Sequence, residues 1–186
     1  MWIDRGFAVI IGIPIIIIII EVIRYIKAKK TNTNFWNYKE LALVILYLYI
    51  IALVSVTLLP FHKFMKVEPT ANIIPVFNTI KDMGNIRSDM QNFMIRFWII
   101  NIGGNLLLLV PLATIVPILF KKYRNVKDIV LLCFSVSITI EFLQYISMYF
   151  GNVRSVDIDD VILNTLGALI GFTVFRLINK KILKNI

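Results

Sequence analysis

Residues 129–150 read IVLLCFSVSITIEFLQYISMYF, a run whose one charged side chain is Glu141. A helix of about 20 apolar residues crosses the roughly 30 Å hydrocarbon core of a bilayer. The run reaches that length, so it predicts a transmembrane helix with an ionisable group inside it. An intramembrane carboxyl costs about 2.5–3.5 kcal/mol on insertion scales, and its place therefore needs a reason. Gln144 follows at i, i+3 and shares the helix face of Glu141.

Working outward from this run, similar apolar blocks occupy residues 7–23, 41–60, 97–120 and 160–178. Hydrophobic residues make up 59% of the 186-residue chain, and its mean hydropathy is +0.82. Soluble domains average about 45–50% apolar residues, so too little polar surface is left to clothe a soluble fold. The expectation is all-α, an integral membrane helical bundle of about five transmembrane helices. Residues 7–23 exceed the 7–15-residue core of a signal peptide, and no small-residue cleavage site follows, so they read as a retained helix. Residues 1–26 are then an additional N-terminal transmembrane helix with the start of a basic linker, and 41–178 a four-helix membrane domain.

A net charge of +9 would suit nucleic-acid binding, but the positive residues flank the apolar blocks instead of filling one basic domain. No nucleic acid is expected as a partner. With the N-terminus placed outside, 13 of the 20 Lys and Arg residues fall at inner span ends. The positive-inside rule then predicts an N-out, C-in topology. Within residues 61–96, Ile80, Met83, Ile86, Met90, Phe93 and Phe97 recur at helical spacing, with Lys81, Asp82, Arg87 and Asp89 between them. This pattern predicts an amphipathic outer interfacial helix, lying on lipid or capping the bundle.

That topology gathers polar side chains at the outer ends of the last three spans. Asn101 and Asn105 stand one turn apart beside Gly103 and Gly104, which would allow close backbone approach. Asp160, Asn164, Gly167 and Gly171 line one stripe, and the loop before them adds Arg154, Asp157 and Asp159. The binding candidates are Asn101, Asn105, Glu141, Gln144, Arg154, Asp157, Asp160 and Asn164. Glu141, Asp157 and Asp160 are the candidates for acid–base work. Asp157, Asp159 and Asp160 are the candidates for a divalent cation, which takes hard oxygen ligands.

Each of these has a structural alternative. The asparagines can act as interhelical glue, and Gly167 with Gly171 as a small-xxx-small packing pair. The aspartates can cap a helix start, and Glu141 can pair with Arg154. Cys133 sits alone in an apolar block and implies neither a disulfide nor a thiolate metal site. His62, the one histidine, lies at a membrane edge, which excludes histidine-dependent phosphatase chemistry.

The spacing Glu141-x-x-Gln144, then Arg154-x-x-Asp157-x-Asp159-Asp160-x-x-x-Asn164-x-x-Gly167-x-x-x-Gly171, resembles the signature of the VanZ-like family of membrane proteins. Asn101-x-x-x-Asn105 leading to Pro111, and Asn72-Ile73-Ile74-Pro75, resemble two further elements of that family. The family's Phe after the second proline is here Val76, followed by Phe77; its Gly after Pro111 is Ala113, and no aromatic precedes Pro111. The resemblance implies a multi-pass protein of the bacterial plasma membrane, some relatives of which are linked to resistance to the glycopeptide teicoplanin. It implies no established reaction.

Three functional readings follow. In the first, a cell-envelope protein engages a polar headgroup, such as a lipid-linked wall precursor or a lipid-anchored antibiotic, with Arg154 holding an anionic group. In the second, a membrane enzyme works on a lipid headgroup through Glu141 or Asp157, with or without a divalent cation. The third is a proton- or ion-coupled transporter using Glu141, weakened by the lack of repeated halves. The first fits the outer-side convergence of unlike polar groups, and the chain lacks a Ser–His pairing for the second.

Overall fold

The computed structural model describes residues 12–31, 38–58, 71–72, 74, 91–149 and 156–184. The helices are α1 (Ile13–Thr31), α2 (Tyr38–Leu58), α3 (Gln91–Leu108), α4 (Val110–Leu119), α5 (Val126–Met148) and α6 (Ile158–Lys184). A 3-10 turn, Lys121–Arg124, joins α4 to α5. Two short strands, β1 (Ala71–Asn72) and β2 (Val156–Asp157), pair in parallel, with Asn72 opposite Asp157.

Among the described residues, four helical segments are long and apolar enough to cross a membrane: Tyr38–Leu58, Phe93–Leu119, Val126–Met148 and Ile158–Lys180. These match the four later blocks of the sequence reading, the second of them beginning four residues early. The expected first span starts at residue 7, outside the described residues. Its described part belongs to α1, which continues as helix through Arg24 and Lys30 where a basic linker was expected. The amphipathic segment expected from Ile80 lies outside the described residues up to Met90. Phe93 and Phe97, its last two apolar positions, belong to α3.

The burial pattern inverts that of a soluble protein. Ile100 is 74% exposed and Leu131 and Phe142 are also on the surface, whereas Ser55, Thr57, Ser137, Glu141, Gln144, Ser147 and Asn164 are all buried. Apolar side chains outward and polar ones inward is the arrangement a hydrocarbon solvent selects. Leu109, Ala113, Val116, Ile129, Cys133, Ala168, Phe172 and Phe175 fill the centre of the bundle. At the end of α5, Tyr145 and Tyr149 stack edge to face at 5.7 Å as an exposed aromatic pair. The hydroxyl contact with Tyr145 raises the Tyr149 phenol above its ordinary pKa of 10.0.

The third span is broken at Leu109, where α3 gives way to α4. Pro111 explains the break, since it lacks the N–H that would bond the carbonyl four residues back. Beside the break, the Tyr49 hydroxyl donates to the carbonyl of Leu108 at 2.8 Å and ties α2 to this point. Tyr49→Phe should lower stability by about 1 kcal/mol, read as an earlier midpoint of unfolding in detergent with no change in helix content.

The last helix packs on the broken span through glycine. A Cβ built on Gly167 would fall on the Leu106 carbonyl oxygen, and one on Gly171 would meet the Val110 carbonyl and lie 2.8 Å from the Ala113 Cβ. Thr114 Oγ1 lies 2.9 Å from the Val110 carbonyl and 3.0 Å from that of Gly171, bridging the two helices where they touch. The small-xxx-small pair is thus a packing device. Gly103 and Gly104 are not, since a Cβ on either would meet nothing within 4 Å.

Candidate functional site

The polar residues converge at the end of the bundle where α2 and α5 finish and α6 begins, with Asn105 reaching them from the last turn of α3. One face of α5 presents Ser137, Glu141 and Gln144, all buried, at helical spacing. A single stripe on α6 presents Asp160 and Asn164. The interface between the two helices brings these stripes together.

Glu141 is 6% exposed, and the backbone N–H of Asp157 donates to its carboxylate at 3.3 Å. Gln144 donates through Nε2 to the carbonyl of Thr57 at 3.0 Å, satisfying one of the open carbonyls at the end of α2. Asp157 is the hub. The Nδ2 of Asn72 donates to both of its carboxylate oxygens at 3.1 Å, and the N–H of Asp159 donates to Oδ1 at 3.0 Å. The second contact makes Asp157 the N-cap of α6. Asn72 in turn accepts from the N–H of Ile74 at 3.3 Å through its own oxygen, a local Asx turn.

Two further bonds cross between spans. Asn105 on α3 donates to the carboxylate of Asp160 at the start of α6. One turn deeper, Asn164 donates to the Ser137 hydroxyl at 2.9 Å. Asn164 is 1% exposed, and its Oδ1 has no partner among the described residues. A buried, unmatched amide oxygen costs about 1–3 kcal/mol, so the deepest polar position is the least satisfied one.

Of the residues singled out in the sequence, the structure brings together Asn105, Glu141, Gln144, Asp157, Asp160 and Asn164. Asn101, one turn before Asn105, is exposed and stands apart from them. Arg154 lies outside the described residues, as does His62. Asp159 is half-buried and joins the hub through its N–H. Among the described residues, no three His, Cys, Asp or Glu side chains gather closely enough to hold a metal ion. Asp157, Asp159 and Asp160 are held apart because the first caps the helix that the other two begin. The candidate site gains Asn72, Thr57 and Ser137. Helical spacing from Glu141 points to Ser137, but no spacing rule connects Asn72 to a residue so far along the chain.

The arrangement is a hydrogen-bonded cluster of carboxylates and amides drawn from α2, α3, α5, α6 and the paired strands. It presents acceptors and donors of fixed geometry at a bundle end and, among the described residues, no nucleophile–base pair. No curated protein and no solved structure matches the chain. The family model described as VanZ/LLP1 matches residues 46–179, which takes in every member of this cluster and leaves α1 outside. That match extends over well more than half of the chain, and with the four apolar spans it makes the chain a multi-pass membrane protein of the VanZ/LLP1 family.

Proposed function

We propose that this protein works in the cell envelope by binding the polar headgroup of a membrane lipid, or a lipid-anchored molecule, at the carboxylate–amide cluster. The observation that carries the reading is the placing of Glu141, Asp157 and Asp160 among amides bonded to them from β1, β2 and α3. A structural purpose alone would be served by apolar packing at lower cost, because interhelical hydrogen bonds in membranes average only about 0.6 kcal/mol. The unmatched Oδ1 of Asn164 beneath the cluster adds an acceptor that a bound group can use.

In this reading the cluster faces outward. The excess of Lys and Arg at the opposite span ends then lies inside, giving the N-out, C-in orientation in a bacterial plasma membrane. Arg154, three residues before Asp157, would supply a charge-assisted contact to an anionic part of the headgroup. The ligand class is a lipid-linked wall precursor or a lipid-bearing glycopeptide, which ties the site to teicoplanin resistance.

The test is lipid mass spectrometry of the purified full chain. Wild type should retain a polar-headgroup lipid that Glu141→Gln and Asp160→Asn lose about tenfold or more. In a teicoplanin-sensitive bacterium, expression should raise the inhibitory concentration, and Glu141→Gln should return it to the baseline at equal membrane abundance. Identical lipid content in wild type and both variants would overturn the proposal.

A further inference from the structure

The opposite end of the bundle carries a second surface. The turn Lys121–Arg124 exposes Lys121, Lys122 and Arg124; Lys127 follows on α5, and Arg176 and Lys180 stand exposed on α6. Helix geometry brings Lys180 close to the level of the turn and leaves Arg176 one turn deeper. Helices α4 and α6 run in the same direction from their contact at Val110 and Gly171. At an equal rise per residue, Lys180 reaches the level of Leu119, just before the turn.

These cations are not loose ends of long side chains. Arg124 is anchored by its Nε, which donates to the Pro117 carbonyl at 3.1 Å and leaves the rest of the guanidinium turned to the surroundings. Arg176 lies 5.3 Å from the Phe172 ring centroid, and Lys122 Nζ lies 5.6 Å from that of Tyr123. The first turn of α5 begins beside them, and its N–H groups add positive potential at the same place. Among the described residues, opposing acids are few at this end. Asp128 sits in that first turn, and Glu21 and Glu40 are both engaged by Arg24.

We infer that this basic end is a binding surface for anionic phospholipid headgroups, independent of the carboxylate cluster. Orientation of a membrane protein needs only an excess of positive charge near the span ends. Here three of the charges are also positioned, Arg124 by a carbonyl and Arg176 and Lys122 by aromatic faces. A phosphodiester at the level of the turn meets Arg124 and the α5 N-terminus together, with Lys121, Lys122 and Lys180 near that level and Arg176 one turn deeper.

The experiment uses the full chain in detergent, titrated with mixed micelles of phosphatidylglycerol or of phosphatidylcholine. Bound lipid is counted by native mass spectrometry and thermal stability is recorded alongside. Wild type should retain phosphatidylglycerol and melt later with it, while phosphatidylcholine does neither. A basic side chain near an anionic surface contributes about fivefold in affinity, so the triple variant K121Q/K122Q/R124Q should weaken phosphatidylglycerol retention at least tenfold. Should that variant fail to fold, sodium chloride at about 1 M supplies the second measurement, since screening at that strength must release the lipid from wild type. Equal retention of the two lipids, undiminished retention in the triple variant, or retention indifferent to salt would overturn the inference.

Discussion

Gly167→Ala should prevent recovery of the folded protein, although it adds a single methyl group. The added Cβ would lie far inside contact distance of the carbonyl oxygen of Leu106, a backbone atom held in helix α3 that cannot rotate away. Overpacking ordinarily costs about 1–3 kcal/mol. Here the whole of α6 must move off the broken span, and the loss should exceed that range. Gly171→Ala should follow the same pattern, since its Cβ would meet the Val110 carbonyl and lie 2.8 Å from the Ala113 Cβ. The control lies in the same molecule. Gly103→Ala and Gly104→Ala open onto space and should be neutral or stabilising by about 0.5–1 kcal/mol. Monodispersity on size exclusion and the unfolding midpoint in detergent distinguish the two pairs. A Gly167→Ala protein that elutes and melts like wild type would refute the packing described for α3, α4 and α6.

The second large effect is expected at Asp157. Its carboxylate caps α6 through the N–H of Asp159 and accepts both bonds from Asn72. Asp157→Ala removes all three at once. Loss of an N-cap costs about 0.5–2 kcal/mol, and an amide left without its partner adds about 1–3 kcal/mol where it is buried. The expected loss is about 2–4 kcal/mol, and the β1–β2 pairing should open with it. Asp157→Asn keeps an oxygen for the cap but leaves the Asn72 amide facing a second amide, so it should fall between wild type and alanine. Unfolding midpoints, with limited proteolysis between residues 59 and 90, read the two parts separately. Equal stability of all three proteins would show that the Asp157 side chain carries no such load.

Much of this was legible in the chain because bilayer physics writes itself in long, simple patterns. The run holding Glu141 and Gln144 predicted a span with a polar inner face, and both side chains are buried there. The stripe of Asp160, Asn164, Gly167 and Gly171 predicted one face of a helix, and it serves as one. Helical periodicity failed where partners come from far along the chain. Nothing in local spacing says that Asn72 reaches Asp157, because a two-residue parallel strand pair leaves no periodic trace. Asn101 shows the converse limit. It shares a face with Asn105 by spacing, yet it remains exposed while Asn105 bonds Asp160. The glycines divide similarly, since Gly103 and Gly104 have the composition of a close contact without a neighbour to make one.

The third span illustrates a different gap. Pro111 announces that the helix must break, but the residue whose hydroxyl bonds the backbone beside the break, Tyr49, lies in another span and reads as ordinary apolar filling. Local sequence marks where a helix must break; the side chain that braces the neighbouring backbone is known only once the spans are packed.

A headgroup site at the carboxylate–amide cluster requires spans distant in sequence to share one set of bonds, and a double-mutant cycle between Asn105 and Asp160 probes that most directly. Stabilities of wild type, Asn105→Ala, Asp160→Ala and the double variant, measured in one detergent, give the coupling between α3 and α6. The bond between these residues predicts a coupling of at least about 0.5 kcal/mol, within the range for groups in direct contact. Losses that add to within about 0.3 kcal/mol would mean that the two residues act separately, and the cluster would not exist as described.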